Sequence, residues 1–320
     1  MQRKIKYLAA LLSCICLSAT AYAENSSGNH EIILVGADTG TADTGLDAAK
    51  SAAVTAMLAD AVYDMDLDGD GIPEKVFYKS IQNEDENGNC TAAIEIYQDD
   101  ELLWSYQDTG WSYYWTLTQF SLADGTSCFL AVSRSDNDWN SQSLLLTKPE
   151  GNDTFAVLAD LGELTRQSEE ESNRLLSGWA RIAYEALLTV SDHTLTVPWS
   201  ETLKATGNLT VFVEYQIENG TVTLSPDPVL LDEQRTWTAW HEFDVYDKPG
   251  SDTVLFRVSG NDTVQLTELV KFQGTTWLKC VNINGETGWF PDSEEYIHQP
   301  SEENPEEYYE GYFKECIFAG

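Results

Sequence analysis

Short apolar runs alternate with turn-forming polar segments between residues 61 and 160. The runs are rich in aromatic and β-branched residues, as β-strands are, and they read KVFYKSI, AAIEIYQ, LLWSYQ, YYWTLTQF, CFLAVSR, SQSLLLTK and TFAVLAD. Segments such as NEDENGN, ADGTS and PEGND, which favour turns, separate these runs. This rhythm predicts a meander of antiparallel strands and therefore a mainly β fold.

The strand pattern is interrupted once and then resumes. Residues 163–188 place Leu175, Trp179 and Ile182 near helical spacing and gather acidic residues toward the start, which predicts a helix packed on the sheet. The next segment, LTVFVEYQIENGTVTLS, divides at Glu218-Asn219-Gly220. Two apolar runs around such a turn predict a β-hairpin.

The beginning of the chain has the three parts of an export signal. Residues 1–23 contain a basic start, a short apolar run and a final Ala21-Tyr22-Ala23, so we expect cleavage after Ala23. An uncleaved membrane anchor is disfavoured because the apolar run is short, and a lipid anchor at Cys14 because little apolar sequence precedes it. Residues 24–60 are expected to form a spacer. Its last part, residues 46–60, is rich in Ala without Pro or Gly, which predicts a short helix.

The charge of the chain is strongly negative and limits its partners. It carries 18 Lys and Arg against 53 Asp and Glu, a net charge of −35. Nucleic acid and anionic membranes would be repelled, whereas cations would be attracted. Because 42% of the residues are hydrophobic, the chain can still bury real cores. We expect a secreted or cell-wall-associated monomer with two domains.

Four cysteines follow the signal: Cys90, Cys128, Cys280 and Cys316. An even number in an exported chain is compatible with disulfides. The sequential pairing, Cys90 with Cys128 and Cys280 with Cys316, would keep each bridge within one region. Four cysteines allow three pairings, however, and spacing alone leaves all of them open. No C-x-x-C occurs among the four, so a zinc ribbon has no support.

One acidic loop has the spacing of a metal site. In Asp66-x-Asp68-x-Asp70-Gly71-x-x-Glu74, alternate Asp side chains can turn inward, the glycine permits a sharp turn and the glutamate closes the cage. The carbonyl of Ile72 could add a ligand. Hard oxygen ligands in this number suit calcium, with a structural role for the ion. The alternative is a solvated acidic turn. An EF-hand is excluded, because its twelfth position would be Phe77 and Pro73 argues against a following helix.

This loop resembles the calcium loops of the FG-GAP and VCBS repeat families. In those families a D-x-D-x-D-G-x-x-E/D stretch leads into an apolar strand, as it does here with KVFY. The resemblance covers about 15 residues. It implies calcium ligation by Asp66, Asp68, Asp70 and Glu74 and a propeller-blade-like arrangement for residues 61–235.

Residues 236–298 contain the three stretches FDVYDKPGSD, TVLFRVSG and GTTWLKCVNINGETGWF. With these stretches the segment resembles a bacterial SH3 (SH3b) domain, although Asp-Val-Tyr-Asp and Phe290 depart from the family pattern. The resemblance implies a small barrel that attaches exported proteins to cell-wall peptide. Tyr246, Trp277 and Trp289 are the candidates to line its ligand groove; the alternative for each is ordinary packing. Residues 299–320 would follow as an acidic tail, either disordered or tied back through Cys316.

No catalytic motif emerges from the chain. Asp-Thr-Gly triplets begin at Asp38, Asp43 and Asp108, but the first two are too close together to form the paired lobes of an aspartic protease. The four histidines lie near no nucleophile motif. We therefore expect a non-catalytic binding protein. A wall-directed hydrolase with a carboxylate pair between residues 80 and 230 is the alternative.

Overall fold

The structure is a computed structural model, and it describes eleven segments of the chain: residues 53–57, 61–82, 90–110, 114–134, 142–166, 175–178, 180–183, 185–225, 227–231, 235–293 and 311–316. The predicted signal and most of the predicted spacer lie outside the described residues.

Antiparallel strands account for nearly all regular structure in the described segments, so the predicted mainly β class is confirmed. The strands are β1 Ala53–Met57, β2 Val62–Met65, β3 Glu74–Gln82, β4 Cys90–Gln98, β5 Glu101–Gly110, β6 Tyr114–Ser121, β7 Ser127–Arg134, β8 Ser143–Thr147, β9 Ala156–Asp160, β10 Arg181–Ile182, β11 Thr189–Ser191, β12 Thr194–Leu203, β13 Gly207–Glu218, β14 Thr221–Leu224, β15 Val229–Leu231, β16 Thr236–Thr238, β17 Phe243–Tyr246, β18 Val254–Val258, β19 Thr263–Phe272, β20 Thr275–Asn282 and β21 Thr287–Pro291. A short helix, α1 (Leu161–Thr165), and a single 3-10 turn (Glu185–Leu187) complete the set.

The chain divides into two compact units. Unit 1 comprises Met1–Leu161, Tyr184–Val197 and Gln216–Val222, and unit 2 comprises Gly162–Ala183, Pro198–Tyr215 and Thr223–Gly320. Unit 1 contains a four-stranded sheet of order β2-β3-β4-β5 and a five-stranded sheet of order β1-β6-β7-β8-β9. Both sheets are meanders except for β1, which joins β6 at an edge.

One hydrophobic cluster takes side chains from both sheets of unit 1. On β3, for example, Val76 and Tyr78 are buried whereas the neighbouring Lys75 and Lys79 are exposed, the two-residue period of a strand with one buried face. The four-stranded sheet contributes Met65, Val76, Tyr78, Ile94, Ile96 and Leu103, and the five-stranded sheet contributes Trp115, Leu117, Phe129, Ala131, Leu144 and Leu146.

The remaining strands form a twelve-stranded sheet. Its main order is β10-β12-β13-β15-β19-β20-β21-β17-β18; in addition, β11 pairs with β12, β14 with β13 and β16 with β19. The predicted hairpin at Asn219-Gly220 joins β13 to β14, and both turn residues have the positive φ that such a turn requires. A second hairpin turns at Asn284-Gly285, where β20 pairs with β21.

The predicted SH3-like segment does not form a sheet of its own. β15 (Val229–Leu231), which precedes it, pairs with β19 through Val229↔Leu269. The path β19-β20-β21-β17-β18 is open among the described strands, so closure of a small barrel stays a prediction.

The helix predicted within residues 46–60 is wrong where the structure describes it, and the helix predicted over residues 163–188 is present only as the end of α1 and the 3-10 turn Glu185–Leu187. Residues 53–57 form strand β1, because pairing with β6 outweighs the weak helix propensity of an Ala-rich segment. In the second helix, α1 ends at Thr165, and residues 181–182 form β10. The buried Leu176, Ala180 and Ile182 are spaced by even numbers, which fits an extended chain as well as a helix. Among the described residues, no helix has the length and apolar character needed to cross a membrane.

The described part of the acidic tail, residues 311–316, packs into the core of unit 2. Tyr312 and Phe313 are 3% and 0% exposed, so this part of the tail is ordered. Phe313 lies within 6.0 Å, centroid to centroid, of the rings of Trp237, Phe243 and Phe290. Main-chain bonds from Trp240 N to Tyr312 O (2.8 Å) and from Tyr312 N to Ala205 O (2.7 Å) hold the segment in place.

This packing predicts that the end of the chain contributes to the stability of unit 2. Phe313→Ala should lower the free energy of unfolding by about 3–5 kcal/mol, the usual cost of removing a buried aromatic ring. Phe272→Ala, a matched change at a ring that is 40% exposed, should cost about 1 kcal/mol. Urea unfolding followed by tryptophan fluorescence measures both; equal costs would contradict the proposed role of the tail.

Candidate functional site

The acidic loop closes the hairpin between β2 and β3. Met65 pairs with Glu74 at its base, and Gly71 has the positive φ expected for the sharp turn. The carboxylate of Asp66 accepts hydrogen bonds from the main-chain N–H groups of Gly69 and Gly71, at 2.9 and 3.1 Å. Asp68 Oδ1 accepts the N–H of Asp70 at 3.1 Å. These bonds fold the main chain so that the loop side chains converge.

Glu74 is the buried end of this loop. Its side chain is 0% exposed, and its Oε2 accepts the N–H of Leu67 at 2.7 Å. Its other oxygen, Oε1, is buried without a hydrogen-bond partner. Burial, helped by the nearby charge of Asp68, raises the pKa of Glu74 above its ordinary value in spite of the Leu67 bond.

Three carboxylates converge at this point. One oxygen each of Asp66, Asp68 and Glu74 lies within 4.8 Å of the others. An unpartnered, buried carboxylate oxygen is costly, and a cation among the three groups would remove that cost. The residues therefore fit a hard, oxygen-preferring metal ion such as calcium. Asp70 is exposed, accepts the N–H of Ile72 at 2.7 Å and does not belong to this group of three carboxylates. Ligation of the ion by Asp70 and by the carbonyl of Ile72 stays a prediction.

Two partners of the loop come from distant parts of unit 1. Lys148 Nζ lies 2.7 Å from Asp68 Oδ2, and Gln119 Nε2 donates to the carbonyl oxygen of Asp66 at 2.6 Å. Burial opposes the ionisation of Asp68, but hydrogen bonds from Lys148 and the Asp70 N–H hold its pKa below the ordinary value. The bond to Asp68 in turn raises the pKa of Lys148. Sequence reasoning missed both partners, since no local pattern marks them.

The predicted groove residues lie on one face of the sheet in unit 2; we call Tyr246, Trp277 and Trp289 the aromatic strip. Tyr246 on β17 is opposite Trp289 on β21, which is opposite Lys279 on β20, and cross-strand partners share a face. The rings of Tyr246 and Trp277 meet edge to face, with centroids 6.0 Å apart. Trp277 is buried, whereas Tyr246 and Trp289 are half-buried. The opposite face carries the buried Phe290.

A cation completes the aromatic strip. Lys279 Nζ lies 5.6 Å from the centroid of the Trp289 ring and 2.8 Å from Glu268 Oε1. The Trp289 ring of the strip therefore lies next to the ion pair of Lys279 and Glu268. The surrounding segment, residues 237–296, contains 4 basic and 10 acidic residues. Such a surface suits an uncharged or cationic ligand better than an anionic one.

The two sequential disulfides are not formed. Cys128 and Cys280 are free thiols buried in β7 and β20, and burial raises their pKa values to about 11 and about 12. The Sγ of Cys316 donates to the carbonyl oxygen of Ala205 at 3.2 Å. The side chain of Cys90 lies outside the described residues. The tail is held by the packing of Tyr312 and Phe313, so no bridge is needed to tie it back.

Two buried carboxylates between residues 80 and 230 bear on the hydrolase alternative. In unit 1, Glu185 Oε1 accepts hydrogen bonds from Thr116 Oγ1, at 2.7 Å, and from Arg134. In unit 2, Glu201 accepts the main-chain N–H groups of Ser177 and Thr202, at 2.7 and 2.9 Å. Each carboxylate is occupied by partners from its own unit, an arrangement typical of a structural role.

The burial of Glu201 predicts a pH dependence of stability. Its side chain is 1% exposed, and burial raises its pKa above the unfolded value, so the folded chain holds the proton to higher pH. Its contribution to stability is therefore full below the unfolded pKa and is lost as the pH rises through the folded pKa. Glu201→Gln should remove this loss, so the stability of the variant should fall less than that of the parent as the pH rises. Urea unfolding of both proteins from pH 4 to pH 8 measures it; parallel profiles would refute the assignment.

Comparisons of the chain with known protein families, with curated proteins and with solved structures found no match.

Proposed function

We propose that this protein is an exported bacterial binding protein without catalytic activity. A calcium ion at the loop of Asp66, Asp68 and Glu74 stabilises unit 1, and the aromatic strip of unit 2 binds a cell-wall peptide of peptidoglycan. The resemblance of the loop to FG-GAP and VCBS loops, and of residues 236–298 to bacterial SH3 domains, supports both halves of the proposal.

The main observation in favour of the proposed calcium site is the unpartnered Oε1 of Glu74. A carboxylate with no exposure normally has a partner for each oxygen, and the Glu74 carboxylate has one unpartnered oxygen and two further carboxylates within 4.8 Å. A bound calcium ion supplies the missing positive charge and cross-links the loop to β3. Asp66 and Asp68 already hold the loop main chain in its turn, so little ordering remains for the ion to impose.

The aromatic strip supports the binding half. Trp289 is half-buried and presents an aromatic surface beside Tyr246, while Lys279 and Glu268 form a polar border. A tryptophan supplies a large contact area at low cost in conformational entropy, which suits recognition of a flexible peptide. The acidic surroundings favour peptides that carry free amino groups.

The hydrolase alternative receives less support from the structure. Glycoside hydrolysis requires two carboxylates that face a substrate together. Glu185 and Glu201 are each engaged by hydrogen bonds within their own unit. In our proposal the protein binds its ligand and leaves the ligand intact.

Calcium is expected to raise the thermal stability of the protein. At a calcium concentration a hundredfold above the Kd, the gain should be about 2.7 kcal/mol, and a chelator should remove it. Glu74→Gln and Asp66→Ala should each abolish most of the gain, because they delete a ligand charge. Asp64→Asn removes a nearby exposed charge outside the three-carboxylate group and should retain the gain. Calorimetry with and without EDTA provides the measurement.

Equal melting temperatures in EDTA and in millimolar calcium would refute the metal half. If Asp64→Asn lost the gain as fully as Glu74→Gln, the effect would be one of general charge, and the assigned ligands would be wrong.

Peptidoglycan should bring the protein down in a pelleting assay without releasing soluble fragments. Trp289→Ala should weaken the binding by about tenfold or more, as expected for a central aromatic contact. Trp240→Ala is the matched control, since this tryptophan is 43% exposed but lies outside the strip. Release of labelled fragments would instead support the hydrolase alternative. Equal pelleting of both variants would refute the assignment of the binding site to the aromatic strip.

A further inference from the structure

The charge of the acidic loop is balanced in part by the protein itself. Asp66, Asp68 and Glu74 bring three carboxylates within 4.8 Å, and Lys148 is a cation placed directly against them, 2.7 Å from Asp68 Oδ2. With all four groups ionised, three negative charges and one positive charge leave a net charge of −2. That value matches a divalent ion.

Lys148 is held in this position by its surroundings. Its side chain is 17% exposed and that of Asp68 only 9%, so the ion pair is largely shielded from water. The ammonium also lies 5.9 Å from the ring centroid of Phe155, a member of the hydrophobic cluster of unit 1. A pair that is shielded and packed in this way acts on the loop more strongly than an exposed ion pair does.

We propose that Lys148 is a built-in counter-cation that determines the affinity and the charge selectivity of the metal loop. This inference rests on the proposed calcium site. The ammonium shares Asp68 with the incoming ion, so it repels that ion and weakens its binding. It repels a trivalent ion more than a divalent one, since the Coulomb energy scales with the charge of the ion. In the metal-free protein, the same ammonium stabilises the loop by partly neutralising it.

The experiment compares variants that separate the charge of Lys148 from its hydrogen bond. Lys148→Gln keeps a donor and loses the charge, Lys148→Met loses both, and Lys148→Arg keeps the charge. Lys79→Gln is the control for net charge, because Lys79 pairs with Glu95 elsewhere in unit 1. Isothermal titration of the full chain with Ca²⁺ and with Tb³⁺ gives the affinities, and thermal melting in EDTA gives the stability of the metal-free form.

Lys148→Gln and Lys148→Met should each bind Ca²⁺ about tenfold more tightly, and Tb³⁺ about thirtyfold more tightly. Both should melt at a lower temperature than the parent in EDTA. Lys148→Arg and Lys79→Gln should stay within about twofold of the parent affinity for both ions.

The possible failures can be distinguished. If the parent binds Ca²⁺ and Lys148→Gln binds it equally well, the role of Lys148 is overturned and the calcium site stands. Weaker binding by Lys148→Met alone would make Lys148 a hydrogen-bonding residue that positions Asp68, which also overturns the inference. Binding by Lys148→Gln but not by the parent would support the inference and refute the proposed function. Absence of binding in every protein would refute both.

Discussion

The burial of Glu74 is the constraint on which the arrangement of the acidic loop depends. A carboxylate removed from water must have its charge compensated, and in this chain most of the available charges are negative. The N–H of Leu67 satisfies one oxygen of Glu74 and leaves the other unpartnered. Asp66 and Asp68 approach the same point, which intensifies the repulsion instead of relieving it. The loop is therefore suited to a cation, and Lys148 supplies part of that positive charge.

The other buried carboxylates show how the same constraint is met where no ion is expected. Glu185 is paired with Arg134 and Thr116, and Glu201 accepts main-chain N–H groups. In both places the partners are supplied by the fold, and burial is stabilised locally. Glu74 differs because one of its oxygens has no partner and because it belongs to a group of three carboxylates within 4.8 Å of one another. That contrast separates a candidate binding site from ordinary structural acids in a chain that is rich in Asp and Glu.

Much of the loop and of the strand pattern could be predicted from the sequence, because both depend on local spacing. Alternating Asp residues before Gly71 specify a tight turn, and Asn219-Gly220 specifies a hairpin through its positive φ values. The residues from distant parts of the chain that contact the loop and the aromatic strip could not be predicted. Lys148 lies 80 residues from Asp68, and its neighbours in the sequence carry no motif. Likewise, Lys279 meets Trp289 only because β20 and β21 pair in a particular register.

The sequence by itself determined the mainly β class, the turn positions and the acidic loop, since two-residue alternation and turn chemistry are properties of short segments. Only the tertiary structure decided that residues 53–57 form strand β1, because an ambiguous segment takes the conformation that its neighbours can pair with. It also decided that Tyr312 and Phe313 complete a core, whereas the sequence left open whether the acidic tail is disordered or tied back through Cys316. The burial of a side chain depends on which residues from distant parts of the chain pack against it, and a short stretch of sequence does not specify those residues.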